Sequence, residues 1–122
     1  MENVKIMVVE NNPMVNSLIK DVMMFCVNRE IMSFSSDDEA IRYMQSSGIV
    51  PDLVISRYKN QGVSPGKIVG YIKAKNKKSI FVFSSDAEND KERVQKDGGD
   101  AFLSIPFSIS DLFKIVDDFV VG

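Results

Sequence analysis

Val4-Lys5-Ile6-Met7-Val8-Val9-Glu10-Asn11-Asn12-Pro13 is the stretch whose reading decides the fold. From Val4 to Val9 it is nearly all apolar. It lacks the alternation of a strand with one wet face, so it predicts a strand buried on both faces. Glu10 and Asn11 break the run, and Asn12-Pro13 supply a helix cap and a proline suited to a first turn. Val15, Leu18, Ile19, Val22 and Met23 then recur at i, i+3, i+4, i+7 and i+8, one stripe of a helix. A buried strand feeding an amphipathic helix is the start of a parallel crossover unit.

The same alternation repeats outward. Ile31 to Phe34 reads as a second strand, and Ser36 with Glu39 as a capping box for a helix carrying Ala40, Ile41 and Met44 and stopped at Gly48. Leu53-Val54-Ile55 is a third strand. Ser64-Pro65 opens a helix with Ile68, Val69, Tyr71 and Ile72 inward, and Ile80 to Phe83 is a fourth strand. The segment from Glu88 to Lys96 is helical in propensity but offers only Val94 as a large apolar residue, so that helix should be thinly anchored before Gly98-Gly99 end it. Ala101 to Leu103 is a fifth strand. Ser108 and Asp111 begin a last helix striped by Leu112, Ile115, Val116, Phe119 and Val120. Five βα units in a row predict one α/β domain over residues 1–122, a parallel sheet covered by helices on both faces. In such sheets the functional crevice lies beyond the carboxyl ends of the strands, which directs attention to Glu10, Asn11, Arg57, Ser84 and Ile105.

Composition narrows the chemistry. The 122 residues are 44% apolar and 26% charged, a globular balance, and 15 basic against 17 acidic residues give a net charge of −2, no global case for nucleic acid. With no histidine and the single Cys26, the commonest general base, the commonest metal ligand and any internal disulfide are missing. The run Ile6 to Val9 is far short of the ~20 residues needed to cross a bilayer. The sequence therefore predicts a soluble, cytoplasmic, single-domain protein with neither a signal peptide nor a membrane partner, and the missing histidine weighs against most hydrolase and zinc mechanisms.

Those strand-end positions and their flanks resemble the receiver domain of bacterial response regulators over essentially the whole chain. Val8-Val9-Glu10-Asn11-Asn12-Pro13 is similar to the family's acidic-pair turn, and Pro51-Asp52-Leu53-Val54-Ile55 to its lead into the phosphoacceptor strand. Phe83-Ser84-Ser85 matches its hydroxyl residue followed by a small one. Gly98-Gly99-Asp100-Ala101-Phe102-Leu103-Ser104-Ile105-Pro106-Phe107 matches its last strand and lysine–proline turn. The resemblance implies a flavodoxin-like (βα)5 three-layer sandwich, strand order 2-1-3-4-5, and a cis Ile105–Pro106 bond.

It also implies a site that this sequence does not keep. The family's acidic pair and phosphoacceptor aspartate bind Mg²⁺. Here Glu10 keeps one acid, Asn11 replaces the other, Arg57 stands at the acceptor position, and Ile105 replaces the phosphate-binding lysine. Of that set's flanking groups, only the hydroxyl survives, at Ser84. Mg²⁺ wants several hard oxygen ligands and is repelled by a guanidinium. Phosphoryl transfer needs a nucleophile, a metal and charge stabilisation. The expected protein is a degenerate, phosphorylation-independent receiver, with no catalytic residue, no cofactor and no Mg²⁺. It would act through protein partners in a bacterial signalling pathway, on a face around Phe102, Val94 and Asp90. A longer parent chain or a signalling complex is expected.

Blander readings stand beside these. Arg57 either pairs with Glu10, at ~2.7–3.2 Å, or holds its head group in solvent; the pair is expected, because the first and third strands should be neighbours. Ser84 is expected as a small strand cap rather than a switch, Phe102 as a partly exposed packing residue, and Cys26 as an ordinary buried side chain. An alternative acceptor, Asp86, lies on a loop with only Glu10 to help hold a metal, and Asp52 belongs at the wrong end of the sheet. The loop Gly62 to Lys67 imitates a phosphate-binding loop, but one residue short, with no Ser or Thr after Lys67 and with Pro65 removing an amide. Residues 57–78 carry seven basic side chains and no acid, an alternative docking surface for nucleic acid or an acidic partner; the expectation is a solvated edge.

Overall fold

In a computed structural model of the chain, residues 4–27, 31–59 and 65–121 are described, without the side chains of residues 26, 27, 65 and 121. The expected burial of Cys26 and most of the loop from Gly62 therefore lie outside the described residues. The elements alternate as β1 (Ile6–Val9), α1 (Pro13–Val27), β2 (Met32–Phe34), α2 (Asp37–Ser47), β3 (Leu53–Arg57), α3 (Pro65–Lys75), β4 (Ile80–Ser85), α4 (Asp90–Lys96), β5 (Ala101–Ser104) and α5 (Ile109–Val116), which runs on as a π turn over Asp117–Val121. The strands form one parallel sheet of order β2-β1-β3-β4-β5. The Ile105–Pro106 bond is cis.

Alternation along each strand sorts the apolar residues into two cores. Ile6, Val8, Leu53, Ile55, Val82 and Leu103 face α1 and α5, meeting Ile19, Met23, Leu112 and Ile115. Met7, Val9, Val54, Phe81 and Phe83 face the other way onto Ala40 and Met44 of α2, Ile68 and Ile72 of α3, and Val94 of α4. The first strand is buried along its whole length, as its unbroken apolar run requires.

The helix starts follow their caps. Asn12 Oδ1 accepts from the backbone N–H of Met14 (3.0 Å) and Val15 (3.2 Å). Ser108 and Asp111 close a complete capping box, and Gly48 ends α2 at φ 74°. Two expectations need correction. Ser36 Oγ accepts from Glu39 N–H, but the Glu39 carboxylate turns to the Ser35 hydroxyl (3.0 Å), so only half of that box forms. Leu18 belongs to the expected inward stripe of α1 yet is exposed. At about 100° per residue it lies about 100° or more around the helix from Ile19 and Met23, the positions that reach the sheet.

Candidate functional site

The site is the next layer of the α1/α5 core. Val8 is opposite Ile55, and Ile55 opposite Val82; two residues further along, Glu10, Arg57 and Ser84 continue those columns on the same face, with Leu103 opposite Ser84 and Ile105 two residues beyond Leu103. Arg57 and Ser84 are register partners, and the Ile105 N–H donates to the Ser85 carbonyl at 2.8 Å. Three strand ends thus bring together Glu10, Arg57 and Ser84, which are scattered in sequence, and Ile105 lies just past the end of the fourth. Asn11, one step past Glu10, is exposed on the turn.

Arg57 Nε donates to Glu10 Oε1 at 2.8 Å, inside the expected range, with side-chain exposures of 18% and 1%. The second carboxylate oxygen, Oε2, accepts from the Asn12 N–H at 2.9 Å. Asn16 Nδ2 donates to the Glu10 carbonyl (3.1 Å) and to the Phe34 carbonyl (2.9 Å), fixing the turn from β1. Glu10 therefore spends one oxygen on a cation and the other on its own helix start. The Ser84 hydroxyl beside this pair is buried and has no hydrogen-bond partner among the described residues.

This donor set does not fit Mg²⁺. Both oxygens of the Glu10 carboxylate are engaged, and a guanidinium stands where a hard cation needs another oxygen. Among the described residues no group of three His, Cys, Asp or Glu is placed to hold a metal ion. Asp86 is exposed on the loop after β4, and Asp52 lies at the amino end of β3, accepting from the Lys5 N–H at 2.9 Å.

The expected interaction face needs correction. Asp90 and Val94 are buried, because α4 turns both toward β4; of the three residues only Phe102 is partly exposed, on the edge strand β5. Asp90 Oδ2 accepts from the Ser85 hydroxyl at 2.7 Å, and its Oδ1 lies 3.4 Å from Lys59 Nζ and 3.8 Å from Arg93 Nη1. At the far end of α4, Tyr58 donates its hydroxyl to Asp97. Burial, then that hydrogen bond to a carboxylate, pushes the Tyr58 phenol up to about 12. These contacts were missed from sequence, although Asp90, Val94 and Asp97 at i, i+4 and i+7 share one helix face.

The basic segment is partly spent inside the molecule. Lys59 faces Asp90, Lys67 lies 3.6 Å from Asp38, and Lys73 and Lys75 sit over the rings of Phe81 and Tyr71. Lys77 and Lys78 are exposed. No helix among the described residues is long and apolar enough to cross a membrane.

Neither a family model nor a curated protein matches the sequence. Solved structures do match the fold. The receiver domain of NtrX from Brucella abortus aligns with a TM-score of 0.80 at 16% identity, covering 97% of this chain and 99% of that one. The chemotaxis response regulator CheY4 of Vibrio cholerae aligns with a TM-score of 0.80 at 15% identity (96% and 98%). The Francisella response regulator 1452 receiver domain gives 0.76 at 18% identity (96% of each). The chain has the flavodoxin-like fold that response-regulator receiver domains share.

Proposed function

We propose that the chain is a receiver-like signalling module that works through contact with a protein partner and without phosphorylation, Mg²⁺ or nucleic acid. The observation that carries this reading is the Arg57–Glu10 pair. On the receiver fold, the carboxyl ends of the first and third strands are where the resemblance locates the metal and the acceptor aspartate. Here that place holds a guanidinium with no oxygen to phosphorylate, already neutralised by the one remaining acid. The pair supplies internally the cation that a receiver would recruit, so the domain has one charge state rather than two. Phe102, half-buried on β5, and the outer surface of α4 are the candidate contact surface on this reading, with Asp90 and Val94 excluded by burial.

The test is incubation of the chain with acetyl phosphate and Mg²⁺, followed by intact mass, with amide spectra recorded in Mg²⁺ and beryllofluoride. No phosphoryl adduct and no shifts around Glu10 and Arg57 are expected. A single stoichiometric phosphoryl group, at Asp86 or elsewhere, overturns the reading.

A further inference from the structure

We infer that the open edge of β2 is a docking groove for an extended segment of a partner protein, one with apolar side chains between an acid and a base. β2 is an outer strand of the sheet, and among the described residues it pairs with β1 alone. The Phe34 carbonyl accepts from the Glu10 N–H at 3.0 Å, so Phe34 aims its backbone at β1. Backbone direction alternates along a strand, and the Ser33 N–H and C=O therefore point away from β1, out of the sheet edge. The strand reads Met-Ser-Phe, with neither the charge nor the proline that commonly blunts such an edge.

This edge lies in a groove of two parts that meet at Ser33 and Phe34. At the amino end a cavity of about 590 Å³ is walled by Ile31, Met32, Phe34, Tyr43 and Ile49, and Lys5 is the one charged residue that lines it. Ile31 belongs to the α1/α5 core, whereas Met32, Phe34 and Tyr43 pack on the opposite one, so the hollow wraps around the strand edge. At the carboxyl end a smaller cavity of about 310 Å³ is polar, and Glu39, Ser35 and Ser17 line it together with Glu10. The Glu39 carboxylate is held by the Ser35 hydroxyl at 3.0 Å. Lys5 and Glu39 are both exposed, and neither has an ion-pair partner among the described residues. Lys5 stands level with the start of the groove and Glu10 with its end, five residues or about 16 Å further along.

These features select the occupant. An extended chain of about five residues has that length, offers backbone groups to Ser33, and sets an acid at Lys5 and a base at Glu39. A second copy presenting its own β2 edge would bring the same hollow, and two hollows leave each other unfilled. A small apolar ligand would occupy the larger cavity but leave the Ser33 groups and both charges unmet. The groove is on the opposite sheet edge from Phe102, so it stands apart from the contact surface proposed above.

Two capped peptides are the probes, Glu-Val-Thr-Val-Lys and the reversed Lys-Val-Thr-Val-Glu. They place the acid at Lys5 when bound parallel and antiparallel to β2, respectively. In a titration of the full chain followed by amide spectra, one of the two should shift Ser33 and Phe34 most, with Lys5 and Glu39 at the margins. Lys5→Glu/Glu39→Lys changes only exposed side chains and should melt close to the wild type. It should exchange the ranking of the two peptides, with about a tenfold change in the affinity of each. Absence of shifts on β2 with both peptides overturns the inference, as does an unchanged ranking in the charge-swapped variant. A Ser33 amide that in the free chain is as protected from hydrogen exchange as those of β1 shows an edge already filled, and overturns it too. Shifts confined to β2 on dilution of the free chain overturn it in favour of a second copy.

Discussion

The Tyr58 hydroxyl donates to Asp97 Oδ2 at 2.6 Å, tying the residue that follows β3 to the C-cap of α4. Val94 is the only large apolar residue that α4 buries, so the helix has little hydrophobic anchorage of its own. Polar contacts at both ends replace it: Asp97 to Tyr58 at one, and Asp90 to Ser85 and Lys59 at the other. Tyr58 also sets its ring edge-on to Phe83 at 5.6 Å. The clasp starts one residue beyond Arg57, so the pinned guanidinium and the pinned helix share a strand end.

A pH experiment reads this clasp. Folded Tyr58 keeps its proton up to about 12, while the unfolded side chain loses it near 10. Its contribution is full below pH ~10 and is lost as pH rises toward ~12, because over that window only the unfolded chain gives up the proton. The loss should be roughly 1–3 kcal/mol. Urea unfolding of wild type and Tyr58→Phe from about pH 8 to about pH 12 checks it. The variant should start about 1 kcal/mol lower for want of the hydrogen bond and then fall less steeply. Parallel curves would assign the base sensitivity to other groups.

Removing Arg57 should hurt more than removing the pair. Glu10 is 1% exposed, and Arg57→Met strands its carboxylate with only the Asn12 N–H as partner. Uncompensated buried charge costs about 3–5 kcal/mol; Arg57 is partly exposed and water can enter where it stood, so about 2–4 kcal/mol is expected here. Arg57→Met/Glu10→Gln keeps an acceptor for Asn12 and removes the charge, and should recover at least half of that loss. Denaturant midpoints of the three proteins decide it; a double variant less stable than Arg57→Met would mean the pair is not the organising contact.

Ser84→Ala should be neutral or stabilising by up to about 1 kcal/mol, since it deletes a buried hydroxyl that has no partner. A thermal melt suffices. A loss of more than about 1 kcal/mol would reveal that the hydroxyl is satisfied in solution and belongs to the Arg57–Glu10 network.

The fold was legible because its signals were local and redundant. The apolar run from Val4 to Val9, the Asn12 and Ser108 caps and the Gly48 stop each specify an element, and their order specifies a parallel sheet. The Arg57–Glu10 contact was legible for a different reason: once the first and third strands are neighbours, residues at matching strand ends must meet. What was not legible depended on rotation. Leu18 lies at the flank of a correct stripe, and Asp90 and Val94 lie on a helix whose inner face is too polar to announce itself. The Tyr58–Asp97 bond spans 39 residues with no local sequence trace. Ser84 carried no signal of its own, since a buried unpaired hydroxyl and a satisfied one are the same letter.

Arg57→Asp should not restore a working receiver. The substitution returns a carboxylate to the end of β3, but directly beside buried Glu10, whose Oε1 then loses its cation. Two adjacent carboxylates repel, so the variant should melt below the wild type, with some recovery in Mg²⁺. Binding a metal is only part of the chemistry. The transferred phosphoryl group also needs a cation at its oxygens, and Ile105 presents a hydrocarbon side chain there; Asn11 supplies no charge to hold the metal. Arg57→Asp alone should therefore show no phosphoryl adduct after acetyl phosphate and Mg²⁺. Arg57→Asp/Asn11→Asp/Ile105→Lys should show one, because the three changes restore nucleophile, metal site and charge stabilisation together. Intact mass over a time course separates the variants. Efficient modification of the single variant would mean that Arg57 alone keeps this fold from the chemistry, and that the changes at Asn11 and Ile105 carry no separate weight.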